Sequence, residues 1–309
     1  MPPTPDPINK LSVAQIYERI RRWTELSASG ISVDALIPEV RNLCGQILFE
    51  TLQMPGDVKF YRARVAEDHL YFDNISALWH PPKHAVRTLG RANRQESPVL
   101  YLAQDGRTAL FETHPAIGQN VGIAEIRLRP GETLNLQHVG VLGNLTSGNF
   151  SAVSKKWDKR LKGLGLTRNG IRNVKLIHNL LAKEFMRDVA VGRPQDYVVS
   201  VAIAEFFLSY ARTDGLLFPS KRSPNDFNIV VKADSADNKL RVDRVYGVEV
   251  VDNSPGAMSF KYQNASTFID SNGVISWATG SILPPLDWNS AGHPALRGPF
   301  KELVQNASK

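Results

Sequence analysis

Among 309 residues there is a single cysteine, Cys44. No internal disulfide can form, and the seven scattered histidines offer no spacing for a structural zinc cluster. No stretch approaches the roughly 18 consecutive apolar residues of a membrane span, and no basic-then-apolar leader opens the chain. The nucleotide signatures are missing too. Gly163-Leu-Gly165 follows a lysine-rich stretch instead of a strand and lacks the dinucleotide spacing. There is no phosphate loop, no His-Glu-x-x-His and no Gly-x-Ser-x-Gly elbow. His80 and His84 have helical spacing, but Pro81 and Pro82 lie between them, so no metal site is expected. What remains is 42% hydrophobic and 22% charged, a globular composition, expected in the reducing cytoplasm with no membrane contact.

The net charge is +7. Between Ser151 and Leu176 stand Lys155, Lys156, Lys159, Arg160, Lys162, Arg168, Arg172 and Lys175 against Asp158 alone; eight minus one equals the excess of the whole chain. Such a stretch is able to grip phosphates. A solvated loop and helix start is the favoured reading, because no zinc-finger spacing, basic zipper or aromatic RNA signature accompanies it. Nucleic acid is thus a weakly supported partner.

Residues 1–10, with four prolines, read as a mobile tail. Ile16, Ile20, Trp23 and Leu26 recur at helical steps, and Leu36, Val40, Leu43, Ile47 and Leu48 mark a second helix after Gly30. Cys44 lies on that second apolar stripe and is expected as a buried, inert thiol. Residues 1–56 therefore read as a helical extension. Strands are expected at Val58–Arg64, Val99–Leu102, Gly122–Arg129, Leu134–Val139, Leu216–Phe218, Asn228–Ala233 and Arg241–Val251. Helices are expected at Thr108–His114, Leu176–Val189 and Tyr197–Tyr210. Beyond Asp252 the chain is rich in Ser, Asn, Gly and Pro, with Phe260-Lys-Tyr, Val274-Ile-Ser-Trp and Leu283-Pro-Pro-Leu as anchors on the body. Helices and strands mix without strict alternation, which predicts an α+β fold.

Two blocks carry a resemblance. The first holds Tyr61-Arg62, Gly90-Arg91-Ala92-Asn93, Leu100-Tyr101-Leu102-Ala103 and Ala109-Leu110-Phe111-Glu112. The second holds Ala204-Glu205-Phe206, Asp214-Gly215-Leu216-Leu217-Phe218-Pro219-Ser220 and Asn228. In this order they resemble the RES-domain family, named for an arginine, a glutamate and a serine, over roughly residues 58–235 with a continuation to 252. Ala92 departs from the tryptophan of many relatives, and Glu96-Ser97 replaces a frequent glycine. The resemblance implies an ADP-ribosyltransferase-like mixed sheet binding NAD, as substrate, in a cleft. It implies a catalytic domain at 57–252 with a basic insertion at about 141–195, and a C-terminal extension, 253–309, packed on the core. Members are bacterial toxins that split the nicotinamide–ribose bond of NAD by hydrolysis or phosphorolysis and are neutralised by an antitoxin protein. The alternative activity is ADP-ribosyl transfer to a protein or nucleic acid acceptor. Oligomeric state is not legible.

Arg62, Tyr101, Glu112 and Ser220 fall on the family motif, with Asn228 following. Cleavage develops positive charge on the ribose, so a fixed carboxylate, Glu112, suits its transition state. The planar guanidinium of Arg62 suits the diphosphate, with Arg64 on the same strand face at i+2. Tyr101 is able to pack against nicotinamide or ribose, or to be a core tyrosine. Ser220 and Asn228 offer neutral hydrogen bonds to ribose hydroxyls or amide. Arg91 and Asn93 bind the dinucleotide or fold their loop, while Trp79 reads as packing.

Overall fold

The structure, a computed structural model, describes residues 7–28, 30–45, 49, 51–54, 56–66, 72–140, 159, 161–190, 192–221, 227–254 and 257–278. Lys155, Lys156, Asp158, Arg160, Ile47, Leu48 and Leu283-Pro-Pro-Leu lie outside them.

Residues 7–10 are not a tail. Pro7–Lys10 forms a short 3-10 turn whose Ile8 is fully buried. The buried Asn173 Nδ2 donates to Ile8 O and, at 2.9 Å, to Leu11 O. α1 (Val13–Ala28) starts at a reciprocal cap in which Ser12 Oγ accepts from Gln15 N and Gln15 Oε1 accepts from Ser12 N. Its Ile16 and Trp23 enter the core. α2 (Val33–Cys44) is capped by Ser32 and buries Leu36, Val40, Leu43 and the Cys44 thiol. Burial pushes that thiol's pKa well up, so it stays protonated and inert. Within the stretch expected to be helical, Thr51–Met54 is instead a strand, β1.

The remaining strands are β2 (Lys59–Val65), β3 (Val99–Ala103), β4 (Asn120–Leu128), β5 (Leu134–His138), β6 (Gly215–Pro219), β7 (Phe227–Lys232), β8 (Leu240–Ser254), β9 (Ala257–Ile269) and β10 (Ile275–Trp277). Helices α3 (Gly106–Thr113), α4 (Arg168–Phe185), α5 (Val198–Leu208) and α6 (Ala233–Lys239) complete the described α-helices. Strand order is β1-β5-β6-β7-β3-β2-β4-β8-β9-β10, antiparallel throughout except between β5 and β6. The fold is α+β, as the mixed pattern predicts.

Strand alternation distributes the two faces of the sheet. Phe60, Ala124 and Ile126 join the large core beneath α2, α4 and α5. Tyr61, Val121 and Ile123 point the other way, into a smaller cluster with Ala109 and Leu110 of α3. α4 begins well before the expected Leu176, because Thr167 caps it and Ile171 and Val174 extend its buried stripe. Beyond Asp252 the described residues continue the sheet as β9 and β10. Among these residues no helix is long and apolar enough to cross a membrane.

Candidate active site

β2 and β4 pair along all of Lys59–Val65, and β3 and β7 along all of Val99–Ala103. Between β2 and β3, by contrast, one pair forms, Tyr61 opposite Ala103. Continuing that register would set Ala63 opposite Tyr101. The strands part instead, and a cleft of about 690 Å³ opens along both, lined by Tyr61, Arg62 and Ala63 on one side and Tyr101 and Leu102 on the other. That volume lies within the range of small-molecule sites.

Arg62 occupies the seam. Its Nη1 donates to Tyr101 O at 3.1 Å, a carbonyl on the edge that β2 leaves unpaired. Its Nε is buried with no hydrogen-bond partner, and no acid pairs with the guanidinium among the described residues. Burial, then repulsion from Arg64, pushes its pKa down to about 10, which still leaves it a cation at neutral pH. A half-buried cation with an unused donor and no counter-charge is a site for an anion.

Glu112 reaches the same cleft from the last turn of α3. That helix is short because Asp105 caps it, its Oδ1 accepting from Thr108 N, and because His114 turns left-handed (φ 50°) ahead of Pro115. Glu112 Oε1 accepts two hydrogen bonds of 2.7 Å, from Ser220 Oγ at the end of β6 and from Asn228 Nδ2 at the start of β7. The pairing of Phe218 with Asn228 brings those strand ends together. Oε2 accepts none among the described residues, so one carboxylate oxygen is fixed and the other is available to a ligand. Ser220 is 1% exposed, so its hydroxyl serves Glu112.

The Gly-Arg-x-Asn segment wraps the Tyr101 hydroxyl. Tyr101 OH donates to Asn93 Oδ1 at 2.9 Å and accepts from Ala92 N at 2.8 Å. A Cβ at Gly90 would meet Asn93 Oδ1 at 2.3 Å, so a side chain there would displace the amide that holds the Tyr101 hydroxyl. Burial holds the Tyr101 phenol far above its ordinary pKa, so it remains a neutral donor. The Tyr101 side chain thus lines the cleft with its hydroxyl committed to the loop, and Asn93 faces that hydroxyl and Arg94 O. Arg91, on the rim, donates to Phe185 O and Arg187 O, and its guanidinium lies 5.3 Å over the Tyr197 ring. Arg94 forks onto Glu205 and also meets Asp34 at 2.6 Å, tying this loop to α5 and α2.

The structure turns Arg64 elsewhere. Its exposed guanidinium donates to Ala77 O at 2.9 Å and lies over Phe72, and it does not line the cleft. Trp79 packs as expected, with Nε1 donating to Asp237 Oδ1 at 2.7 Å. His80 bonds the same carboxylate oxygen at 2.9 Å. The Asp-Gly of the second motif is a staple at the far end of β6. Asp214 Oδ2 accepts from Asn135 N and pairs with Lys239 at 2.7 Å, while Oδ1 accepts from Ser235 Oγ.

The sequence reading missed one wall of the cleft. Asp188, Val189, Arg193 and Tyr197, from the segment joining α4 to α5, line it, and Asp188 forms an ion pair with Lys221 beside Ser220. The available signal was an arginine between Gly192 and Pro194, which read only as a helix stop.

No curated protein and no solved structure matches the chain. The model of the family described as the RES domain matches residues 59–250, from the start of β2 into β8. Arg62, Glu112 and Ser220 all fall within that span, two of them in direct contact, and the chain is a member of the RES-domain family.

Proposed function

We propose that this protein consumes NAD by breaking the bond between nicotinamide and ribose, as the toxin of a toxin–antitoxin pair. The observation that carries the reading is the shared cleft: an arginine without a counter-ion among the described residues and a carboxylate fixed through one oxygen face the same cavity. Family membership supports it.

Arg62 binds the diphosphate through its unused donors, and Arg91 adds a second cation to the lining of the same cleft. As the glycosidic bond breaks, its electron pair leaves with nicotinamide, which becomes neutral. Positive charge then develops on the ribose carbon. Glu112 stabilises that charge, which is greater in the transition state than in bound NAD, so the interaction lowers the barrier and does not merely tighten binding. Ser220 and Asn228 prevent the carboxylate from swinging away. Water adding to the ribose gives ADP-ribose and releases a proton; phosphate adding there gives the phosphorylated sugar.

Mass-spectrometric analysis of purified protein with NAD, with and without phosphate, tests this. The expected result is free nicotinamide without any macromolecule, the second product identifying the acceptor. Release of nicotinamide only after a protein or nucleic acid is added would replace the reading with ADP-ribosyl transfer.

A further inference from the structure

The cleft is not the only charged feature of the described molecule. α4 contributes Ile171, Val174, Ile177, Leu181 and Phe185 to the core, and this fixes which face it turns outward. At 3.6 residues per turn, Arg168, Arg172, Lys175, Asn179 and Lys183 fall within an arc of about 80° on the opposite side. Arg168, Arg172, Asn179 and Lys183 are exposed, and Lys175 is half-buried. No acid and no apolar side chain shares the arc. Among the described residues neither Arg168 nor Arg172 forms an ion pair. The exposed Lys162 precedes the stripe. At its other end, Phe185 lines the cleft and its carbonyl receives Arg91.

We propose that this face of α4 docks double-stranded nucleic acid through its phosphate backbone. Four cations spread along about 22 Å of helix, with no acid between them, match a line of regularly spaced negative charge. An acidic protein surface would need an apolar, desolvated centre to bind stably, and the arc supplies none. Single strands are held by bases stacking on aromatic rings, and the arc has no aromatic side chain. What it offers is charge and one amide, the means of sequence-independent backbone contact. Because α4 ends at the cleft rim, a bound duplex would lie beside the entrance.

The test is fluorescence anisotropy of the full chain with a labelled duplex of about 20 base pairs and mixed sequence, over a salt series starting near 50 mM. Binding is expected, with log K falling against log salt at a slope of about −3 to −4, as four neutralised phosphates require. Arg168→Glu, Arg172→Glu and Lys183→Glu combined should weaken it at least tenfold and flatten the slope, with melting temperature unchanged. The milder pair Arg168→Gln and Arg172→Gln should act in the same direction and covers the case of a triple variant that fails to fold. A control triple on other exposed sites, Lys83→Glu, Arg87→Glu and Lys261→Glu, makes the same charge change and should leave binding nearly intact. No binding at the lowest salt overturns the proposal, as does equal loss in both triples. Tighter binding of single strands or of polyglutamate through the same residues would also overturn it, by naming a different occupant. None of these readouts uses NAD, so the outcome is independent of the proposed catalytic reaction.

Discussion

At the scale of single residues, the account depends on which oxygen of Glu112 is held. Ser220 and Asn228 both donate to Oε1, and in the proposed mechanism they act through the carboxylate. Ser220→Ala and Asn228→Ala should each lower kcat about ten- to hundredfold with little change in KM, the pattern of an interaction felt in the transition state. The double variant should lose less than the product of the two, because either loss already frees the same oxygen. Additive losses expressed mainly in KM would return both residues to ligand binding. Arg62→Ala should instead weaken NAD binding at least tenfold by calorimetric titration, since it removes a charge-assisted contact to the diphosphate. Unchanged affinity would move the anion site to Arg91.

Much of the site was legible as residues and little of it as contacts. Arg62, Glu112, Ser220 and Asn228 stand out in the sequence, yet Glu112 lies 108 and 116 residues from its two donors. Only the β6–β7 register joins them. The same limit applied to Tyr101 and Asn93, whose side chains the structure spends on each other. Arg64 was placed by strand periodicity alone, which gives the face of a side chain but not its reach.

At the scale of elements, periodicity found the helices and strands whose apolar stripe is uninterrupted. It missed the start of α4, where Arg168 and Arg172 occupy the solvent face and Thr167 and Asn9 secure the first turn. It missed α6, whose ADSADNK sequence offers only alanines as apolar residues, with Ala236 alone reaching the core, and β9, where Ala265 and Ser266 are the buried members of a largely half-buried strand. α4 also carries a histidine that no pattern explains. His178 is fully buried, stacks on His138 of β5 with ring centroids 5.5 Å apart and touches Phe49. Burial first, and His138 second, hold its pKa well below the ordinary value. Below about pH 6.5 the unfolded chain therefore binds a proton that the folded chain refuses, and stability falls with falling pH by up to about 1.4 kcal/mol per unit. Urea unfolding between pH 7 and 5 should show this slope, and His178→Leu should reduce it. An equal slope in the variant would assign the acid sensitivity to other groups.

At the scale of the whole molecule, one sheet changes character at its centre. Continuous ladders run outward from β3 and from β2, and the single pair between them leaves a seam where a cation and a carboxylate meet one cavity. The helices on the large core fix the two halves, and the loop bearing Arg91 and Arg94 ties the seam to α5 and α2. The mixed order of helix and strand patterns predicted the class of fold, but no local signal reports where a ladder stops. The measurement closest to the central claim is nicotinamide release from NAD by wild-type protein and by Glu112→Gln, each checked for an unchanged melting temperature. Release by the wild type, with a loss of about a hundredfold or more in the variant, is the expected result. Intact NAD with the wild type, or equal release by both, would contradict it.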